Sequence, residues 1–288
     1  MSDYAKGLMI TTLGVLIITP DALLLRLVNA DPWTVLVYRG FGFFLVQALI
    51  VIWTHGRHTP GALRATGTDG VIIIGLFAVS QCCFVLSITH TSVANTLVII
   101  ATSPLMAAIL ARFWLKERVE RRTLVAGIVS VAAVVLTLSS SLGTGHVAGD
   151  MAGLVTMILL ATLFTLLRRA RNRDMLPAVA MSGLGTMTIA LFMADTVTVT
   201  SQDWLWLGLL AFFVSPVSFA LISTGPRYLP APEVSLLMLV ETALGPLWVW
   251  LALGEQPPLR TLIGGALLLM VLTINAIVGM RSRSRKYR

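Results

Sequence analysis

Apolar residues fill this chain in long runs, each closed by a short polar or basic gap. A helix needs roughly 20 mostly apolar residues to cross the hydrocarbon core of a bilayer. Ten runs qualify: residues 7–27, 34–53, 71–89, 94–114, 123–139, 151–167, 177–197, 203–223, 233–253 and 261–280. In hydrocarbon only helices and closed barrels satisfy every backbone group. These runs are too long and too continuously apolar to be barrel strands. The pattern predicts an all-α integral membrane protein with ten transmembrane helices.

The gaps between the runs carry the topology. With the first residue placed in the cytoplasm, eighteen Lys and Arg residues fall in inside segments and only Arg26 and Arg260 fall outside. The remaining one, Arg39, is left inside a span. Such an excess marks the cytoplasmic face and puts both termini there, which points to a plasma membrane. Trp33, Trp204, Trp206, Trp248 and Trp250 sit at or near the outer helix ends, where an interfacial aromatic belt forms.

Composition agrees. The chain is 57% hydrophobic and 12% charged, against about 25% charged in a soluble domain. That apolar excess has no place in one soluble core. The net charge of +8 does not signal nucleic acid, because the basic residues occupy inter-helix gaps and not one soluble face. Cys82 and Cys83 are adjacent inside an apolar run and imply no disulfide framework. The first run exceeds signal-peptide length and has no A-x-A site, so it reads as a retained helix.

The chain also repeats itself. Shifted by 138 residues, Leu115-Lys116-Glu117, Arg122-Thr123-Leu124 and Gly127 fall on Leu253-Gly254-Glu255, Arg260-Thr261-Leu262 and Gly265 without a gap. The fourth and fifth spans thus correspond to the ninth and tenth. Five spans per copy is odd, so the copies, 1–145 and 146–288, enter the membrane in opposite directions. Inverted repeats of this kind are common in secondary transporters.

Two five-helix copies, each with Leu-x-Glu, about ten residues and then Gly between its last two helices, resemble the EamA family of the drug/metabolite transporter superfamily. Tyr38-Arg39-Gly40 and Ser103-Pro104 are similar to family features as well. The resemblance covers essentially the whole chain. It implies that the first, third, fourth, sixth, eighth and ninth spans line a central cavity, with the fifth and tenth outside it. The second copy departs from the pattern: the position matching Arg39 lies near Leu184 or Gly185 and carries no charge. Within the family the chain resembles bacterial amino-acid and metabolite exporters of the YddG type, which implies the bacterial inner membrane.

Ionisable groups inside a membrane are costly and are functional candidates by default. Glu241 lies mid-way along the ninth span, four residues before Gly245-Pro246. A carboxylate there either binds a substrate amine or a proton, or fixes helix packing. Arg39 either attracts an anion or pairs with Asp21, which follows Pro20 in the first span; the internal pair is the expected arrangement. Gln81 has Phe77 and Phe84 one turn to either side on the same helix face. It forms a wall for an amphipathic ligand or bonds a neighbouring helix. Ser103, Ser215 and Trp248 are further cavity candidates. Pro20, Pro104, Pro216 and Pro246 mark either kinks or interrupted helices that expose backbone groups to a cavity.

Other chemistry is not supported. His55, His58, His90 and His146 are scattered at the two membrane surfaces, and His55-x-x-His58 lacks the companions of a metal site. No P-loop and no catalytic constellation occurs, and no cofactor is implied. The expected function is secondary transport of amino acids or similar small amphipathic metabolites, by alternating access at a midplane cavity in the lipid bilayer. The alternatives are export of other metabolites or cationic drugs, and passive facilitation. One chain with two repeats suffices as a monomer, although an oligomer is compatible.

Overall fold

A computed structural model of the chain describes residues 3–114, 116, 121–141, 145–170, 173–224, 228–229 and 231–286. All regular elements among them are helical. Leu115 and Glu117, the first copy of the repeated Leu-x-Glu, lie outside the described residues.

The first apolar run forms α1 (Asp3–Ile18) and α2 (Asp21–Leu27). The break falls at Thr19 and Pro20, where proline supplies no N–H to the helical ladder. The hydroxyl of Thr19 donates to the carbonyl of Leu16 and closes the end of α1. Next comes α3 (Pro32–His55). Asp31 caps it by accepting from the backbone N–H groups of Trp33 and Thr34, with Pro32 in the first turn. A short 3-10 turn leads to α4 (Thr59–Ala65), followed by α5 (Gly67–His90).

The fourth run is also divided, into α6 (Val93–Ile100) and α7 (Ser103–Trp114). Ser92 caps α6 through the N–H of Asn95. At the break the hydroxyl of Thr102 donates to the carbonyl of Ile99. Pro104 then sits at the start of α7, where its missing N–H costs least. Helices α8 (Arg121–Leu138), α9 (Val147–Arg169) and α10 (Leu176–Met193) follow.

The eighth run begins as α11 (Asp203–Leu209), loosens into a π turn over Leu210–Val214, and resumes as α12 (Ser215–Thr224). Pro216 lies just beyond the π turn; a proline withdraws one donor from the ladder, and such bulges absorb the gap. The last two helices are α13 (Ala231–Leu253) and α14 (Leu259–Lys286). Pro246 lies inside α13 without dividing it.

Among the described residues seven helical stretches are long and apolar enough to cross a membrane: Tyr4–Leu27, Pro32–Ala65, Gly67–His90, Val93–Trp114, Val147–Arg169, Leu176–Met193 and Asp203–Thr224. Shorter apolar helices cover Val125–Leu138, Leu237–Leu253 and Leu259–Asn275. The surface fits a lipid solvent. Trp53 is 87% exposed, Phe192 83% and Ile128 72%. Large apolar side chains at that exposure, spread over the helices, are a liability in water and neutral in hydrocarbon.

Packing interleaves elements from distant parts of the chain. Helix α3 packs on α10, α5 on α9 and α10, α1 on α12 and α13, and α8 on α14. Glycine makes the α3–α10 crossing possible. A Cβ on Gly40 would stand 2.7 Å from the Gly183 carbonyl oxygen and 2.7 Å from the Met187 nitrogen. A Cβ on Gly183 would stand 2.6 Å from the Gly40 oxygen and 2.6 Å from the Phe44 nitrogen. The contact is reciprocal: each glycine meets the other and the residue one turn beyond it. Small residues at such crossings let backbones touch and gain dispersion contacts that lipid would otherwise supply.

Candidate functional site

The broken helices meet around one charged group. Asp21, the first residue of α2, is 3% exposed, and Arg39 on α3 is 4% exposed. The Arg39 Nη1 donates to Asp21 Oδ2 at 3.0 Å. The other carboxylate oxygen, Oδ1, accepts from the hydroxyl of Ser215 at 2.8 Å. Each partner arrives by a stated local cause. The break at Pro20 starts a new helix on Asp21. The π turn before Ser215 offsets α12 from the line of α11. Gly42 on α3 lets that turn come close, since a Cβ there would lie 2.5 Å from the Ala211 oxygen. Gln47, further along α3, donates from Nε2 to the Pro216 carbonyl at 3.1 Å.

Phe84 on α5 places its ring 5.6 Å from the Arg39 guanidinium carbon, a cation–π contact. Glu241 on α13 interacts electrostatically with both Asp21 and Arg39, yet it retains partial exposure and makes no ion pair among the described residues. The group therefore sets two acidic side chains against one guanidinium. Trp248, two turns along α13 from Glu241, donates its indole N–H to the Thr19 hydroxyl at 3.1 Å. It thus touches the residue that closes the α1–α2 break.

Gln81 lines a small cleft with Arg39, Gly40, Phe43, Phe77, Gly183 and Thr186. Phe77 stacks with Phe43 at 5.7 Å between ring centroids, and Phe219 of α12 lies edge-on to both. Phe77 thus packs in an aromatic trio, while Phe84 lies against Arg39, which lines the same cleft. Ser103 is buried at the start of α7, and no described contact joins it to the charged group.

Other polar groups gather near the ends of α2, α5 and α13. Arg26 Nη2 donates to the Thr91 carbonyl at 2.6 Å and to Glu255 Oε1 at 3.3 Å. His146 Nδ1 lies 3.1 Å from the His90 carbonyl. The sequence marks Arg26 only as a topological charge and gives Asp150 no role, because its carboxylate stands one residue ahead of an apolar run. At the opposite end His55 Nε2 meets Asp174 Oδ2 at 3.2 Å, so this histidine has an acidic partner that its local spacing does not reveal. Among the described residues no cluster of three or more His, Cys, Asp or Glu side chains is poised for a metal.

The profile of the EamA-like transporter family matches residues 6–139 and again 147–277, which together span most of the chain. The chain belongs to the EamA-like transporter family. Members of this family are membrane transporters. An uncharacterized transporter of Archaeoglobus fulgidus is 27% identical over 216 residues, which cover 73% of this chain and 78% of the relative. A solved crystal structure superposes on this EamA-like chain with a TM-score of 0.70 and 16% identity, over 96% of this chain and 98% of the other. At that identity the likeness speaks for the fold alone.

Proposed function

We propose that this EamA-like protein is a secondary carrier that exports amino acids or similar small amphipathic metabolites by alternating access. Its two halves, 1–145 and 146–288, are inverted five-helix repeats, giving ten spans with both termini in the cytoplasm of a bacterial cell. Three observations support the architecture. The family match falls in two segments. The sequence repeats at an offset of 138 residues. The Gly40–Gly183 contact is reciprocal, as a two-fold axis through the α3–α10 crossing requires.

The observation that carries the substrate reading is one guanidinium set among two acidic side chains, Asp21 at a helix break and Glu241 within α13. A zwitterion needs a cation for its carboxylate and an anion for its ammonium. Among the described contacts Arg39 commits only Nη1, to Asp21, out of five N–H donors. The remainder are available to a carboxylate beside the Gln81 amide. Glu241 has no ion-pair partner among the described residues and suits an ammonium or a proton. Phe84, Phe77 and Trp248 supply apolar surface for a side chain. Pro20, Pro104 and Pro216 sit at or beside the breaks where rigid helix segments are joined by short irregular turns, and turns of that kind let a half-helix tilt without unfolding.

The test is uptake of labelled amino acids into proteoliposomes of the purified protein, with and without an imposed pH gradient. Saturable accumulation with trans-stimulation supports a carrier. Entry of none overturns the amino-acid assignment. Glu241→Gln separates coupling from binding: a variant that keeps full gradient-driven accumulation overturns proton coupling through this residue. One feature favours a second reading, in which the substrate is a cationic amine. With Asp21 and Arg39 neutralising each other, the group left at the site without an ion-pair partner among the described residues is an acid, Glu241. Cationic drugs competing with amino-acid uptake, or transported in its place, would decide for that reading.

A further inference from the structure

At the end of the bundle opposite His55 and Asp174, one arginine ties the two halves of the chain together. Arg26 stands in the last turn of α2, and its Nη2 donates to the Thr91 carbonyl at 2.6 Å and to Glu255 Oε1 at 3.3 Å. The two acceptors are held differently. Thr91, just after α5, is fixed: its hydroxyl donates to Asp150 Oδ1 at 2.7 Å, and Asp150, in the first turn of α9, is 1% exposed. A Cβ on Gly149 would stand 2.6 Å from the His90 carbonyl carbon and 2.7 Å from the Thr91 nitrogen, so only glycine seats α9 against the end of α5. Glu255 instead belongs to the connection between α13 and α14. Gly254, at a φ of 69°, turns the chain out of α13, and Pro257-Pro258 stiffen the other side. The shorter bond goes to the fixed acceptor and the longer one to the connection carried by α13.

The packing of α13 changes along its length. At the Arg26 end it lies against α2 and α6, and Trp248 bonds Thr19. There Val93 and Ala94 of α6 meet Pro246, Val249 and Glu255 across a crevice with no room for a water molecule. Gly245 and Val249 are buried. From Leu237 to Leu244 every residue keeps some exposure, Glu241 included. Helix α7, which continues the span of α6 toward the other end, packs on α9 and α8. The way to Glu241 is thus shut on the Arg26 side, and the packing loosens on the other.

We propose, on the alternating-access reading, that Arg26 and Glu255 are the outer gate of the transport path, closed in this structure, and that α13 opens it by carrying Glu255 away while Arg26 stays on Thr91. A gate must hold without locking. Partly exposed ion pairs contribute little, and side-chain exposures of 25% and 30% put this one in that class. The closed form also leaves the Arg26 Nε buried without a hydrogen-bond partner, a cost that opening to water relieves. The seven-residue helix α2 joins the gate to the charged site. Asp21 at its start binds Arg39, and Arg26 stands five residues on, about 7.5 Å along the axis. A segment that short moves as one body, so drawing Arg39 off Asp21 shifts the Arg26 end and weakens its longer bond.

Thiol labelling tests the gate without a substrate, so its failure is separate from failure of the amino-acid reading. Val93→Cys replaces a buried crevice residue with a smaller one, and Met238→Cys puts a reporter one turn before Glu241 on α13. A membrane-impermeant maleimide is applied to intact cells for Val93→Cys and to everted vesicles for Met238→Cys. The parent protein, whose Cys82 and Cys83 lie mid-span in α5, gives the background. Adding Glu255→Gln should speed Val93→Cys labelling about fivefold, the change in open population that loss of a partly exposed pair allows, and should slow Met238→Cys labelling. Arg26→Gln should do the same, and Asp21→Asn should speed Val93→Cys labelling through α2. Glu255→Asp keeps the charge and should stay near the wild-type rate. Unchanged Val93→Cys labelling in both Glu255→Gln and Arg26→Gln overturns the gate. So does Val93→Cys labelling, with the pair intact, as fast as that of the exposed Gln256→Cys. Failure of Gln256→Cys to label in intact cells would put this end inside and overturns it too. An Asp21→Asn rate equal to wild type overturns the α2 linkage alone. Faster outer labelling with unchanged inner labelling keeps the gate and overturns alternating access.

Discussion

Removing one member of the Asp21–Arg39 pair should have unequal consequences for the two members, and the asymmetry is the sharpest consequence of the charge arrangement. Both side chains are about 95% buried and joined at 3.0 Å. Breaking a buried pair by deleting one partner typically costs about 3–5 kcal/mol, because the other charge is left uncompensated. Arg39→Gln strands the Asp21 carboxylate with no cation and with a second acid, Glu241, nearby, and also removes the contact with the Phe84 ring. It should reach the upper part of that range, about 4–5 kcal/mol. Asp21→Asn keeps the acceptor for the Ser215 hydroxyl and leaves Glu241 to face Arg39. It should cost no more than about 2–3 kcal/mol, at or below the lower end of the range. The double variant should be less destabilised than the sum of the two, with a coupling of about 2 kcal/mol, as expected for residues in direct contact. The assay is reversible unfolding in mixed micelles, fitted as a double-mutant cycle. Additive costs would show that the pair contributes no interaction energy. A larger cost for Asp21→Asn than for Arg39→Gln would show that Glu241 does not share the field of Arg39, and the three-charge site would fall with it.

Three further outcomes are open to measurement. Gly183→Val adds a Cβ only 2.6 Å from backbone atoms of Gly40 and Phe44, so α3 and α10 must separate; a loss of folded yield and a Tm fall of many degrees are expected, and a normal Tm refutes the close crossing. Trp248→Phe keeps an aromatic ring and loses the indole bond to Thr19, which should cost about 1 kcal/mol in the same unfolding assay. Arg26→Glu and Glu255→Arg should each lower saturable transport while changing stability by less than about 1 kcal/mol, because the pair is only partly buried. The exchanged double variant should recover transport, and a double variant as poor as the singles rules out a functional pair.

The membrane class is legible in the sequence because hydropathy registers over about twenty residues at a time and needs no knowledge of neighbours. The family is legible because Leu-x-Glu and the spaced glycine recur at a fixed offset. Helix breaks are legible only in part. Pro20 and Pro104 stand at divided helices and Pro216 follows a π turn, whereas Pro246 rides within α13. The difference depends on what closes the freed backbone groups: the hydroxyls of Thr19 and Thr102 end their own helices at Leu16 and Ile99. Asp150 is hidden because it precedes an apolar run by one residue and so reads as an interfacial flank. Its burial comes from Gly149 meeting the end of α5, a contact between residues about sixty positions apart. Arg26 reads as a topological marker for the same reason, since its acidic partner Glu255 lies 229 positions away.

The Gly40–Gly183 crossing also sets a constraint on how the protein is made. When α3 enters the bilayer its glycine face has no helix to meet, because Gly183 is encoded more than a hundred codons later. At about 5–20 residues per second, the ribosome needs on the order of ten seconds to supply it. For that interval a helix carrying Arg39 and two bare glycine positions must wait in lipid or beside the insertion machinery. Biogenesis of the two halves is thus not sequential: the amino-terminal half stays unfinished until the carboxy-terminal half arrives, and a nascent chain cut short before α10 has no stable product to become.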